Sequence, residues 1–145
     1  MTSIIPMVRV HVDRDAGLFT VIPFACDPNG LSVTVGNFLA FGWEDFKTRG
    51  FEIVEKCLTD YHTGYKPGVS QFDRMSESER IHFFSKNKIG FQISEKEGDL
   101  WWISLLQPVG CGHMLPIGPK ARVNFRPSQD ADCFFDVLLQ LMPAE

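Results

Sequence analysis

Ile89-Gly90-Phe91-Gln92-Ile93-Ser94-Glu95-Lys96-Glu97-Gly98-Asp99-Leu100-Trp101-Trp102-Ile103-Ser104-Leu105-Leu106 is the stretch that decides the fold. Ile89, Phe91 and Ile93 alternate with Gly90, Gln92 and Ser94. A period of two sends successive side chains to opposite faces, so this run reads as a half-buried strand. Glu95 to Asp99 is a charged turn containing Gly98. Leu100 to Leu106 is heavily apolar and reads as a strand buried on both faces. Two such runs joined by a short turn predict an antiparallel hairpin.

The same alternation recurs on either side. Val8, Val10 and Val12 alternate with Arg9, His11 and Asp13. Asp15-Ala16-Gly17 is a turn, and Leu18 to Phe24 returns as a second strand. Cys26-Asp27-Pro28-Asn29-Gly30 is turn chemistry, because Pro presets φ and Asn-Gly tolerates positive φ. Leu31 to Val35 is a short candidate strand. Residues 107–119 hold Pro108, Gly110, Gly112, Pro116, Gly118 and Pro119 and read as irregular. Ala121, Val123 and Phe125 then alternate with Lys120, Arg122, Asn124 and Arg126, and Pro127-Ser128 ends that strand.

Three segments carry the helical period. Over 43–61, Phe46, Phe51, Ile53, Val54, Cys57, Leu58 and Tyr61 fall on one arc, with Lys47 and Gly50 among them. Gly50 costs about 1 kcal/mol relative to Ala inside a helix, so it is expected to allow a close approach. Glu44, Asp45, Arg49, Glu52, Glu55 and Lys56 lie on the opposite side, with Glu52 and Lys56 spaced for an ion pair. Gly64 and Pro67 end the helix, and residues 62–75 form an aperiodic loop carrying Tyr65 and Phe72. Ser76-Glu77-Ser78-Glu79 is a capping box that starts a second helix running to about Lys86. The third runs from about Asp130 to Met142 with a broad apolar arc, which suits burial across the sheet or in a subunit interface.

The order β-β-β-α-α-β-β-β-α predicts an α+β class: one domain over residues 1–145, a mainly antiparallel sheet of about six strands, and about three helices. Two helices are expected on one face. The other face is expected to present Arg9, His11, Gln92, Arg122 and Asn124. No repeat and no low-complexity segment stands out.

Composition sets the outer bounds. With 145 residues, 44% hydrophobic and 22% charged, the chain is typical of a folded domain and not of a disordered one. No apolar run reaches the roughly 20 residues needed to span a bilayer. Met1-Thr2-Ser3-Ile4-Ile5-Pro6 lacks the basic and long apolar regions of a signal peptide, so a cytoplasmic location is expected. Fourteen Lys and Arg against eighteen Asp and Glu give a net charge of −4, a poor start for non-specific nucleic-acid binding and a good one for a basic protein partner.

The reactive residue types are sparse in pattern. Cys26, Cys57, Cys111 and Cys133 form no C-x-x-C pair, and four free thiols are expected in a reducing compartment, with Cys57 and Cys133 as small core hydrophobes. His11, His62, His82 and His113 match no metal-ligand spacing, so neither a metal nor a cofactor is expected. His11 is expected to face solvent. Gly110-Cys111-Gly112-His113 could expose a thiol beside an imidazole, which defines an enzyme alternative, although no third orienting residue can be named. Lys120, Arg122 and Arg126 share one side of a strand and define a nucleic-acid-binding alternative, with Phe125 on the opposite side. The acidic side of the 43–61 helix reads either as a solvated surface or as a docking surface for a basic protein. Its candidate contacts are Glu44, Asp45, Glu52 and Glu55, joined by Tyr65, Phe72 and Asp73 from the following loop.

Phe41-Gly42-Trp43-Glu44-Asp45-Phe46 with Phe51-Glu52-Ile53-Val54-Glu55-Lys56-Cys57-Leu58, the Phe83-Phe84 pair before Ile89-Gly90, and Leu100-Trp101-Trp102 resemble the pattern of a bacterial family. These are the single-domain immunity proteins of contact-dependent growth inhibition systems. The resemblance covers most of the chain. It implies a cytoplasmic, non-enzymatic inhibitor that binds a cognate toxin domain stoichiometrically. Toxins of these systems are commonly nucleases, tRNA-cleaving ones among them. No membrane or direct nucleic-acid partner is implied, and the apolar terminal helix allows a homodimer.

Overall fold

The Ile89–Leu106 hairpin sits in the middle of an eight-stranded antiparallel sheet. The computed structural model describes residues 5–108, 114–116 and 122–143. The strands are β1 (Met7–Asp13), β2 (Leu18–Cys26), β3 (Ser32–Thr34), β4 (Leu39–Gly42), β5 (Ile89–Lys96), β6 (Leu100–Pro108), β7 (Met114–Pro116) and β8 (Arg122–Phe125). The helices are α1 (Trp43–Thr59), α2 (Gln71–Arg74), α3 (Glu77–Lys86), α4 (Pro127–Asp130) and α5 (Phe134–Leu141), with a 3-10 turn at Ala131–Cys133. The α+β class and the antiparallel sheet are as expected. The extra strands, β4 and β7, are four and three residues long, too short to display an alternation. α2 falls inside the expected 62–75 loop, where Ser70 Oγ accepts the Asp73 N–H and starts a single turn.

β1 and β5 form the central pair, in register from Met7 opposite Ser94 to Val12 opposite Ile89. Each continues as a hairpin: Val10 faces Val21 in β2, and Ile93 faces Ile103 in β6. The far side of β2 is shared by two short strands, β4 along Leu18–Val21 and β3 along Phe24–Cys26. The far side of β6 is shared in the same way, by β8 along Trp101–Ser104 and β7 along Leu106–Pro108. Each half then enters its helical segment. A ββββα arrangement thus occurs twice about the β1–β5 pair, although the sequence shows no repeat.

α1 and α5 pack together on one face, as two helices were expected to. Val8, Val10, Val12, Phe19, Val21, Phe91, Ile93, Trp101, Ile103 and Phe125 point to them from the strands. Phe46, Val54 and Leu58 of α1 and Phe134, Phe135 and Leu138 of α5 close this core. Phe19 stacks on Phe46 with ring centroids 4.4 Å apart and planes within 9°, and Phe51 stacks on Trp101 at 5.2 Å. The apolar arc of the terminal helix is therefore largely spent inside the chain.

The opposite face differs from expectation. His11 is 0% exposed, because α3 lies over it. Phe84 and Phe83 meet the imidazole edge-on at 5.0 and 5.9 Å. Alternation assigns a side chain to a face, and a helix from elsewhere in the chain decides whether that face is wet. The capping box at the start of α3 is present: Ser76 Oγ accepts the Glu79 N–H, and Glu79 Oε1 accepts the Ser76 N–H.

Candidate functional site

α1 carries most of the predicted site. Its sequence is amphipathic, so burying Phe46, Val54 and Leu58 turns Glu44, Asp45, Glu52 and Glu55 to solvent, where all four are exposed. Glu44 and Asp45 lie in the first turn, where the helix dipole favours negative charge. Asp45 is paired with Arg49 at 3.5 Å. Lys56 pairs with Asp60 at 3.0 Å and not with Glu52 as the spacing suggested, which leaves Glu52 more open to a partner. Glu52 and Glu55 border a groove of about 440 Å³ between α1 and the start of α5, lined also by Asp132 and Lys47. The acidic surface therefore extends from one helix to the next.

The loop residues divide. Tyr65 is exposed and Asp73 is exposed. Phe72 is not a free anchor: Arg80 lies over its ring at 4.4 Å and donates to its carbonyl, and Phe84 approaches at 6.4 Å. It belongs to the layer around α3, on the other side of the sheet from α1. The segment near it is stitched to the β3–β4 connection. Ser70 and Thr34 hydroxyls meet at 2.7 Å, Gln71 N–H donates to the Gly36 carbonyl, and Gln71 Oε1 accepts the Phe38 N–H. The structure thus brings the four α1 carboxylates together and holds Phe72 apart from them.

A second groove, of about 620 Å³, runs between α1 and the place where β3 and β4 part. Cys57 lines it half-buried, and burial together with nearby Asp60 pushes its thiol up to about 11, a poor nucleophile at neutral pH. Cys133 is exposed, contrary to the core position expected, because the terminal helix is broken into α4, a 3-10 turn and α5 and the cysteine falls on the outside of the break. Cys111, His113 and Lys120 lie outside the described residues. Among the described residues, no three His, Cys, Asp or Glu side chains cluster as a metal site. No helix among them is long and apolar enough to cross a membrane.

Trp102 is the residue the sequence reading missed. It stands on the face opposite α1, with Lys96 Nζ and Arg122 Cζ each 3.8 Å from its ring centroid. A run from Leu100 to Leu106 apolar at every position but Ser104 gave only one sign of which tryptophan would face out. The signal was the parity of Trp102 with Ser104 in a hairpin whose Trp101 and Ile103 are buried.

Neither a family model, nor a curated protein, nor a solved structure matches this chain.

Proposed function

We propose that this chain is an immunity protein of a contact-dependent growth inhibition system, acting in the cytoplasm without catalysis of its own. It binds a basic toxin domain, a nuclease of the tRNA-cleaving kind, and blocks access to its active site. The observation that carries this reading is the exposed acidic surface of α1, Glu44, Asp45, Glu52 and Glu55, continued across the groove by Asp132. Such a surface steers a basic partner, raising the rate of encounter more than the final affinity. The likeness of the Phe41–Leu58, Phe83–Phe84 and Leu100–Trp102 segments to that family supports the same reading.

The test is co-expression with the C-terminal domain of the toxin encoded next to this chain's gene. Co-purification and rescue of growth are expected. The triple variant Glu44→Lys, Glu52→Lys, Glu55→Lys is expected to slow association while its thermal melt stays unchanged. Full protection by the triple variant would move the contact to another surface, and no complex with the wild type would end the immunity reading.

A further inference from the structure

The sheet face turned away from α1 separates positive charge from an otherwise acidic protein. Arg9, Gln92, Ser104 and Arg122 are successive cross-strand neighbours on β1, β5, β6 and β8. The adjacent row places Ser94, Trp102 and Asn124 side by side. With strands about 4.8 Å apart, Arg9 and Arg122 stand roughly 14 Å from one another. Among the described strand residues that point to this face, Asp13 is the sole carboxylate. It lies at the far end, past His11, where it accepts the Ala16 N–H. α3 covers the His11 end of the face, while Trp102 at the other end is half-buried with Lys96 and Arg122 over its ring.

We infer that this half of the sheet binds single-stranded nucleic acid. Two requirements of such a site are met together: cations that track a phosphate backbone, and an aromatic ring on which a base can stack. Lys96 and Arg122 both reach the Trp102 ring, within the range of a cation–π contact. A base that stacks on the indole takes the place of one cation, which then turns to the neighbouring phosphate. Ser94, Ser104 and Asn124 supply neutral groups that both donate and accept, which suits base edges, whereas Gln92 Oε1 already accepts from the Arg9 guanidinium. An acidic peptide would use the cations but has no need of the indole. The inference stands on this face alone and is independent of the toxin-binding surface on α1.

The experiment titrates the whole protein into a fluorescein-labelled single-stranded oligouridylate at 20 mM salt and again at rising salt. Saturable binding is expected, weakening with a log–log slope between about −1.4 and −2.1 for two to three phosphate contacts on a single strand. Trp102→Ala should weaken binding at least fivefold, the low end for one lost base stack. Lys96→Gln and Arg122→Gln, which leave the strands intact, should flatten the salt slope by about one contact each. Competition by polyuridylate but not by polyglutamate supports the inference. Absence of binding at 20 mM salt overturns it. So does equal competition by polyglutamate, which would make the face a peptide-docking surface, or binding that survives all three substitutions. Loss of RNA binding leaves the toxin co-purification unaffected, so the two readings fail separately.

Discussion

Gly50 sits one helical turn after Phe46, and the Phe46 ring occupies the space that a side chain at Gly50 would need. A Cβ built at Gly50 lies 2.9 Å from two carbons of that ring. The ring cannot swing away, because it is stacked on Phe19 and touches Phe134 and Phe135. Helix propensity favours Ala at this position by about 1 kcal/mol, whereas overpacking a filled core costs about 1–3 kcal/mol. Gly50→Ala is therefore expected to lower stability by about 1 kcal/mol net, read from the urea midpoint. In a Phe46→Leu background the same change should become neutral or stabilising. A Gly50→Ala protein more stable than wild type would show that the stack yields.

His11 makes stability depend on pH. Burial, with Arg9 adding to it, lowers the imidazole pKa from 6.5 to about 3. Neither ring nitrogen makes a hydrogen bond of good geometry among the described residues, and the nearby Asn87 backbone opposes the shift only in part. The unfolded chain takes up a proton near pH 6.5 and the folded one does not until about pH 3. Stability thus rises with pH across that window and falls as pH drops through it, by several kcal/mol at the limit. His11→Leu should remove this slope while leaving the carboxylate contributions in place. The check is urea denaturation of both proteins at pH 7.5 and pH 5. Equal losses in the two would sink the assignment.

The strands that could be read in advance were those long enough to alternate against a covered face. β1, β2 and β5 had seven to nine residues in which to show a period of two. β4 and β7 are held by the edges they pair with, which a local pattern does not contain. His11 and Trp102 were misjudged for one reason in opposite directions. The Ser76–Glu79 box announced α3 but not where it would dock, so His11 looked wet. The apolar run of β6 hid the fact that Trp102, on its outer face, is half-buried beneath Lys96 and Arg122 and not inside the core. Of the candidate site, the α1 carboxylates followed from helical geometry. Phe72 did not, since its fate depends on Arg80, eight residues on in the next helix.

Thiol chemistry separates the remaining alternative. Cys133 is exposed, while Cys57 is half-buried with its thiol pushed up to about 11 from 9.0. Two pKa units reduce the thiolate fraction at pH 8 roughly 100-fold. Cys133 should therefore label with a disulfide reagent at least tenfold faster than Cys57, as read by mass spectrometry of timed digests. The Cys111 peptide reports on the enzyme alternative in the same experiment. Labelling of Cys111 well ahead of exposed Cys133 at neutral pH would favour an activated thiol beside His113 and count against a purely binding protein.

The hold of α3 on the sheet can be loosened without touching either surface assigned above. No residue of α3 is fully buried, and its grip comes from Phe83 and Phe84 against His11 and Phe38. Losing a serine N-cap costs about 1 kcal/mol. In a helix this lightly anchored, that loss should appear as local opening and not as global unfolding. Ser76→Ala is expected to raise amide exchange across Glu77–Lys86 by about fivefold, the equivalent of that free energy, with β5 and β6 unchanged. Opening also wets His11, so its imidazole should titrate at a higher pH in the variant, measurable by proton NMR. Unchanged exchange in α3 would mean that the aromatic contacts alone fix the helix and that the cap adds nothing to them.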